Sequence, residues 1–315
     1  MPRPAETAAA DLAACHAAIR HHSRSFYAAS RLLPARIRDA AAATYAFCRA
    51  ADDAVDDPGT AAAARTRHAE TRRRLDRIYR GETVDTASGR AFARVVAAAS
   101  IPRGEPDALL DGMAQDLDPV RIPDEDALLL YCYRAAGVVG RMMSRIMGRD
   151  DPEALDRAVH LGIAMQLTNI ARDVGEDARR DRVYLPSVWL AEAGGSADDV
   201  LAARPSAPVR RATHRVLALA EAYYGSGIAG IGMLPPSCRP AILSAALLYR
   251  AIGRGVAARD GDGVTRRVRV STTRKAALIA VAAARCALDP RLRGRAERPD
   301  TSALHGPLRR AGIRP

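Results

Sequence analysis

Apolar residues recur at three- and four-residue intervals along most of the chain, the period of one face of an α-helix. The spacing predicts helices over 7–21, 35–55, 60–80, 88–100, 107–117, 125–148, 152–178, 187–193, 197–203, 207–229, 239–258 and 271–287. Punctuation agrees with that reading. Pro34 and Pro152 open helices, while Asp57-Pro58-Gly59 and Asp118-Pro119 close them. His21-His22-Ser23-Arg24-Ser25-Phe26 reads as a turn or helix end, and 179–186 as a polar loop. Gly137 and Gly140 would let a second helix or a ligand come close to the 125–148 segment. The β-branched, turn-punctuated texture of a sheet protein is absent. The expected fold class is all-α: one domain over 1–288, with 289–315 an Arg/Pro/Gly-rich tail expected to fray.

Composition narrows the function classes. The chain is 48% hydrophobic and carries a net charge of +12, with Lys275 its single lysine and arginine supplying the rest of the positive charge. A basic excess serves nucleic acid, an anionic membrane surface or a phosphorylated substrate. The aromatic residues do not interleave with basic ones as in a nucleic-acid module, so no nucleic-acid partner is expected. The five cysteines are scattered, which argues against a disulfide framework and against zinc and for a reducing cytoplasm. The N-terminus lacks a basic-then-apolar signal pattern. No uncharged apolar run approaches the ~20 residues needed to span a bilayer. The expected location is cytoplasmic, with peripheral contact at the inner face of the membrane, where arginine meets anionic lipid.

Two acidic motifs stand out. Asp52-Asp53-Ala54-Val55-Asp56-Asp57 follows an apolar helical run, and Asp173-Val174-Gly175-Glu176-Asp177 ends another. Each contains Asp-x-x-x-Asp, and helix positions four apart lie one above the other. Acids crowded at a helix C-terminus repel one another and oppose the helix dipole unless a cation is present. Asn169, Asp173 and Asp177 form a ladder at four-residue steps, with Gln166 one turn earlier and Arg172 beside it. Oxygen ligands of this kind suit a hard divalent ion that completes its coordination with water and phosphate. Arg49 lies one turn before Asp52 and Asp53, Tyr45 one turn before Arg49, and Ser23 to Ser25 offer donors at a helix end.

These stretches resemble the squalene/phytoene synthase family, which joins two prenyl diphosphates head to head. The resemblance is carried by His22–Phe26, by Tyr45-Ala46-Phe47-Cys48-Arg49 running into Asp52–Asp57, and by Tyr131–Gly140. It continues through Gln166–Asp177 and Arg182-Val183-Tyr184-Leu185-Pro186. It implies an isoprenoid-synthase helical bundle around a central substrate cavity. It implies Mg²⁺, with Mn²⁺ as a substitute, on Asp52, Asp56, Asn169, Asp173 and Asp177. The catalytic set it implies is Asp52, Asp56, Asp173, Asp177, Arg49 and Tyr45. The substrate contacts are His22, Ser23, Arg24, Ser25, Tyr45, Arg49, Tyr131, Gln166, Arg172, Tyr249 and Arg267. The implied reaction condenses two geranylgeranyl diphosphates through prephytoene diphosphate to 15-cis-phytoene, without NADPH. One alternative keeps the fold and takes farnesyl diphosphate, giving presqualene diphosphate, squalene or dehydrosqualene. Another is a non-catalytic scaffold homologue, which would be expected to lose the acids present here. One departure is Asp181, where the resemblance leads one to expect a small residue, often Gly. This change should shift the charge of the loop without abolishing the site.

Overall fold

A computed structural model describes residues 4–57, 59–294 and 300–313. The helices are α1 (Pro4–His22), α2 (Arg24–Ser30), α3 (Ala35–Asp56), α4 (Ala61–Tyr79), α5 (Ala87–Ala99), α6 (Gly104–Gln115), α7 (Glu125–Cys132) and α8 (Val138–Ile146). They continue as α9 (Pro152–Ala178), α10 (Ser187–Glu192), α11 (Ala197–Leu201), α12 (Ala207–Gly230), α13 (Arg239–Ala257), α14 (Thr272–Leu288) and α15 (Ser302–Arg310). The fold is all-α. Its one sheet among the described residues is a parallel pairing of β1 (Val120–Arg121) with β2 (Arg182–Val183).

Local chemistry sets the helix ends. Asp151 accepts a hydrogen bond from the Ala154 amide at 3.0 Å, and Pro152 fits the first turn of α9 without losing a needed donor. Thr60, Thr86, Asp124, Ser206 and Ser271 cap α4, α5, α7, α12 and α14 in the same way.

Two large apolar clusters build the interior, with a small third one around Leu33, Met147 and Leu234. One gathers α1, α3, α5, α6 and α8 around Phe47, Phe92, Leu110 and Met142. The other gathers α7, α9, α12 and α13 around Leu167, Tyr224 and Leu243. Phe26 and Tyr133 pack against both and mark the seam between them. The first acidic motif ends α3 on one side of that seam, and the second ends α9 on the other.

Three readings of the sequence change. A helix does end at His22, as read, but residues 24–30 then form a further helix, α2, with Ser23 as its cap; seven residues are too few for periodicity to reveal. The segment 125–148 is broken by a π-helical turn at Tyr133–Gly137, a feature that inserts one residue without disturbing apolar spacing enough to be read. The tail expected to fray over 289–315 is docked in part. Leu292, Leu308 and Ile313 are buried against the second cluster, and α15 packs on α7. Its arginines hid an apolar minority; residues 295–299 and 314–315 lie outside the described residues.

The small residues do what their spacing suggested. A Cβ on Gly140 would lie 2.2 Å from the Ala158 carbonyl oxygen, and one on Gly162 would lie 2.4 Å from that of Ala136. Helix α9 therefore runs backbone to backbone against the π-turn and α8.

Candidate active site

Arg49 donates to Asp52 at 2.8 Å and also pairs with Asp53, one and the same turn of α3. Burial, then the charge of Asp56, pushes the Asp52 carboxyl up to about 6. Across the seam, Arg172 clamps Asp173 bidentately, with its Nε 2.8 Å from Oδ1. Arg267 reaches the same carboxylate at 2.9 Å and Glu176 at 3.2 Å. The loop bearing Arg267 is pinned to α9 by glycine. The Gly175 amide donates to the Gly263 carbonyl at 3.2 Å, and a Cβ on Gly263 would meet the Ala171 oxygen at 2.1 Å.

The two motifs meet over Arg182 and Tyr184 of the Arg182–Pro186 motif, over Tyr131, and over Asp116 and Arg180, which the sequence did not single out. Arg182 donates to Asp56 at 2.7 Å and to the Asp116 carbonyl at 2.9 Å, and Arg180 also pairs with Asp56. The Asp116 carboxylate accepts from Tyr184 at 2.6 Å and from Tyr131 at 3.0 Å. Burial pushes the Asp116 carboxyl up, against the pull of Arg182 and the two phenols. Burial and then Asp173 hold Asp177 well above the usual carboxylate range, and the charge of Asp116 bears on both Asp52 and Asp177. Asp116 continues the apolar stripe of Leu109 and Met113. An acid on the buried face of a helix was the signal available.

Aromatic residues flank the acids. Tyr45 and Tyr249 bracket Phe26, with ring centroids 6.3 Å and 4.9 Å from it. Ser23 caps α2 and also bonds the Tyr249 phenol. Burial raises Tyr249, and it raises Tyr45 to about 12. His22 is exposed but sits within the field of Arg49 and Asp53. Gln166 accepts from the Asn169 side chain at 3.2 Å. Tyr131 is brought in as a buried support, its hydroxyl taken up by Asp116 and Tyr184. Arg24 is exposed and its charge bears on Lys275, and Ser25 lies on α2 without a side-chain hydrogen bond among the described residues.

Among the described residues, no three His, Cys, Asp or Glu side chains gather as a ready-made ion site. The donor set nonetheless fits a divalent cation. The Asn169 side-chain oxygen is buried without a partner. The Asp177 carboxyl accepts no hydrogen bond among the described residues, although burial penalises its charge. A void of about 10 Å³, room for about one water, lies beside Asp177 and is lined also by Ile170, Val174, Arg182 and Tyr184. Small-molecule sites begin at roughly 300 Å³, so this void holds no prenyl chain.

A family model described as squalene/phytoene synthase matches residues 19–275. The chain belongs to that family. It is 42% identical over 297 residues to a phytoene synthase of Rhodobacter capsulatus, covering 92% of this chain and 88% of that one. It is 44% identical to a phytoene synthase of Cereibacter sphaeroides, covering 90% and 82%. A dehydrosqualene synthase solved with a ligand superposes with a TM-score of 0.80 at 28% identity, over 90% of this chain and 98% of that one. Asp181 has φ of 58°, the left-handed region that glycine adopts without cost. That explains why a small residue was expected there. Here the Asp181 carboxylate pairs with Arg121, and its carbonyl accepts from Val120 at 3.2 Å.

Proposed function

We propose that this prenyltransferase condenses two geranylgeranyl diphosphates head to head, through prephytoene diphosphate, to 15-cis-phytoene. The observation that carries the reading is the convergence of two helix-borne acidic motifs on Asp116 and Arg182, in a chain about 40% identical to several phytoene synthases. Structures of dehydrosqualene and squalene synthases are less similar, at 28% and 25% identity, which disfavours a farnesyl substrate. The retained Asp52, Asp56, Asp173 and Asp177 disfavour a non-catalytic scaffold.

Asp52 and Asp56 on one side, and Asn169, Asp173 and Asp177 on the other, would hold Mg²⁺, with Mn²⁺ able to substitute. Bound there, the metal supplies charge neutralisation for the departing diphosphate. Arg49, Arg172 and Arg267 take diphosphate oxygens, with bidentate geometry fitting the guanidinium fork. His22, Ser23, Arg24, Ser25 and Gln166 complete the polar rim. The allylic cation left by ionisation needs a water-free wall. Phe26, Tyr45 and Tyr249 supply one, and their ring faces attract positive charge. Because burial keeps both phenols protonated at neutral pH, they serve as dipoles and not as bases. The released diphosphate is a base that the reaction itself supplies for the final proton.

The test is product analysis with labelled geranylgeranyl or farnesyl diphosphate and Mg²⁺, with and without NADPH. A C40 product from geranylgeranyl diphosphate alone is expected. Preferential C30 formation would overturn the substrate assignment. Asp52→Ala and Asp173→Ala should abolish product with helicity intact, and full turnover by either would refute the metal assignment.

A further inference from the structure

We propose that the outward face of α14 docks on an anionic lipid bilayer. Helices in water usually present a polar face opposite their buried apolar stripe; α14 packs Leu278, Ile279, Ala282 and Cys286 inward and carries a second apolar stripe outward. Ala277, Val281, Ala284 and Leu288 recur at helical spacing and all are exposed, while Ala282 is the one buried residue of the helix. Val281 is 46% and Leu288 77% exposed, among only four large apolar residues so exposed in the described chain. The helix carries no acid.

Its ends are cationic. Arg266 and Arg269 precede it, Arg274 lies in its first turn, and Arg291 and Arg293 follow it. None of these side chains has a carboxylate partner among the described residues, and all are exposed. An apolar stripe between basic ends is the pattern of a helix that lies in the membrane interface. No helix of the described chain is long and apolar enough to cross a membrane, so α14 would lie on the surface. Charge chooses the occupant. A second copy meeting this one by two-fold symmetry would present the same patch, bringing like cations together on a chain of net charge +12. An anionic bilayer offers the complementary sign.

The purpose of the docking rests on the proposed function: a hydrocarbon product has no polar group and leaves most readily into lipid. Helix α14 packs on α13, which carries Tyr249.

The experiment uses the full chain and co-sedimentation with vesicles of phosphatidylcholine alone or mixed with phosphatidylglycerol. Binding is expected only to the mixed vesicles, and it should weaken as salt rises. Arg274→Ala with Arg291→Ala should weaken partitioning ~25-fold, at about 5-fold per cation. Val281→Asp with Leu288→Asp should abolish it, with unchanged helicity and unchanged turnover in detergent. Equal binding to both vesicles, or variants that bind like the parent, would overturn the proposal. So would an apolar-face variant that turns a dimer into a monomer and leaves vesicle binding unaltered. Vesicle binding without any prenyl transfer would sink the functional reading and leave the docking face standing.

Discussion

Asp116→Asn tests the base on which both acidic motifs rest. The carboxylate accepts two phenolic hydrogen bonds, 2.6 Å from Tyr184 and 3.0 Å from Tyr131, in a buried setting. A hydrogen bond to a charged group contributes roughly 1.5–3 kcal/mol. Asparagine keeps the volume and one acceptor oxygen but turns an amide donor toward the other phenol. That phenol can accept the amide hydrogen and turn its own hydrogen, no longer taken by a carboxylate, to the other phenol 3.0 Å away, so two charge-assisted bonds become neutral ones. The net loss is therefore the excess of two charge-assisted bonds over two neutral ones, roughly 1.5–3 kcal/mol, together with the negative charge opposite Arg182. Urea unfolding should show a lower midpoint at unchanged slope. A cycle with Tyr184→Phe should return a coupling of about 1–2 kcal/mol, since the two groups touch. Below the unfolding range, turnover should fall about 10- to 100-fold, the usual effect of disturbing residues that orient ion-binding side chains. The reasoning fails if stability stays within about 0.5 kcal/mol of the parent and the coupling vanishes.

Gly162→Ala should lower stability by about 1–3 kcal/mol, because a Cβ 2.4 Å from the Ala136 oxygen meets backbone that cannot rotate away; thermal unfolding measures it. Asp181→Gly should retain turnover and change stability by less than about 1 kcal/mol, relief of the left-handed backbone offsetting loss of a half-exposed pair with Arg121. In metal-free protein, the Asp52 carboxyl titrates near 6 when folded and near 3.8 otherwise. Its stabilising contribution is therefore full below about pH 4 and lost as pH rises through about 6. Asp52→Asn should remove that fall, seen as a thermal midpoint that matches the parent's near pH 4 and rises above it as pH passes about 6.

The acidic ladder was legible because it is local. Four-residue spacing places Asn169, Asp173 and Asp177 on one side of α9 whatever the rest of the chain does. Helix limits were legible where a proline forces them, as at Pro34 and Pro152. Pairings between elements were not. Asp116 lies 66 residues from Arg182 and 68 from Tyr184, and nothing in either local pattern reports the other. Composition misled at the C-terminus, where seven arginines among residues 289–315 obscure the few apolar residues that dock the tail.

Exposure divides the arginines of the site into two kinds. Arg182 is 9% exposed and tied to both Asp56 and the backbone of Asp116, so its pairing is fixed by the fold. Arg267 and Arg180 are 44% and 42% exposed, and their pairs with Asp173 and Asp56 lie where ion pairs contribute about 0–1 kcal/mol. Such pairs exchange at little cost when a diphosphate offers its own oxygens. Arg267→Ala should therefore raise the KM for the prenyl diphosphate and leave the unfolding midpoint where it was. Arg182→Ala should lower both stability and turnover, because it leaves the buried Asp116 without its opposite charge and Asp56 with only the exposed Arg180. Equal melting losses in the two variants would erase the distinction between a rigid base and an exchangeable rim.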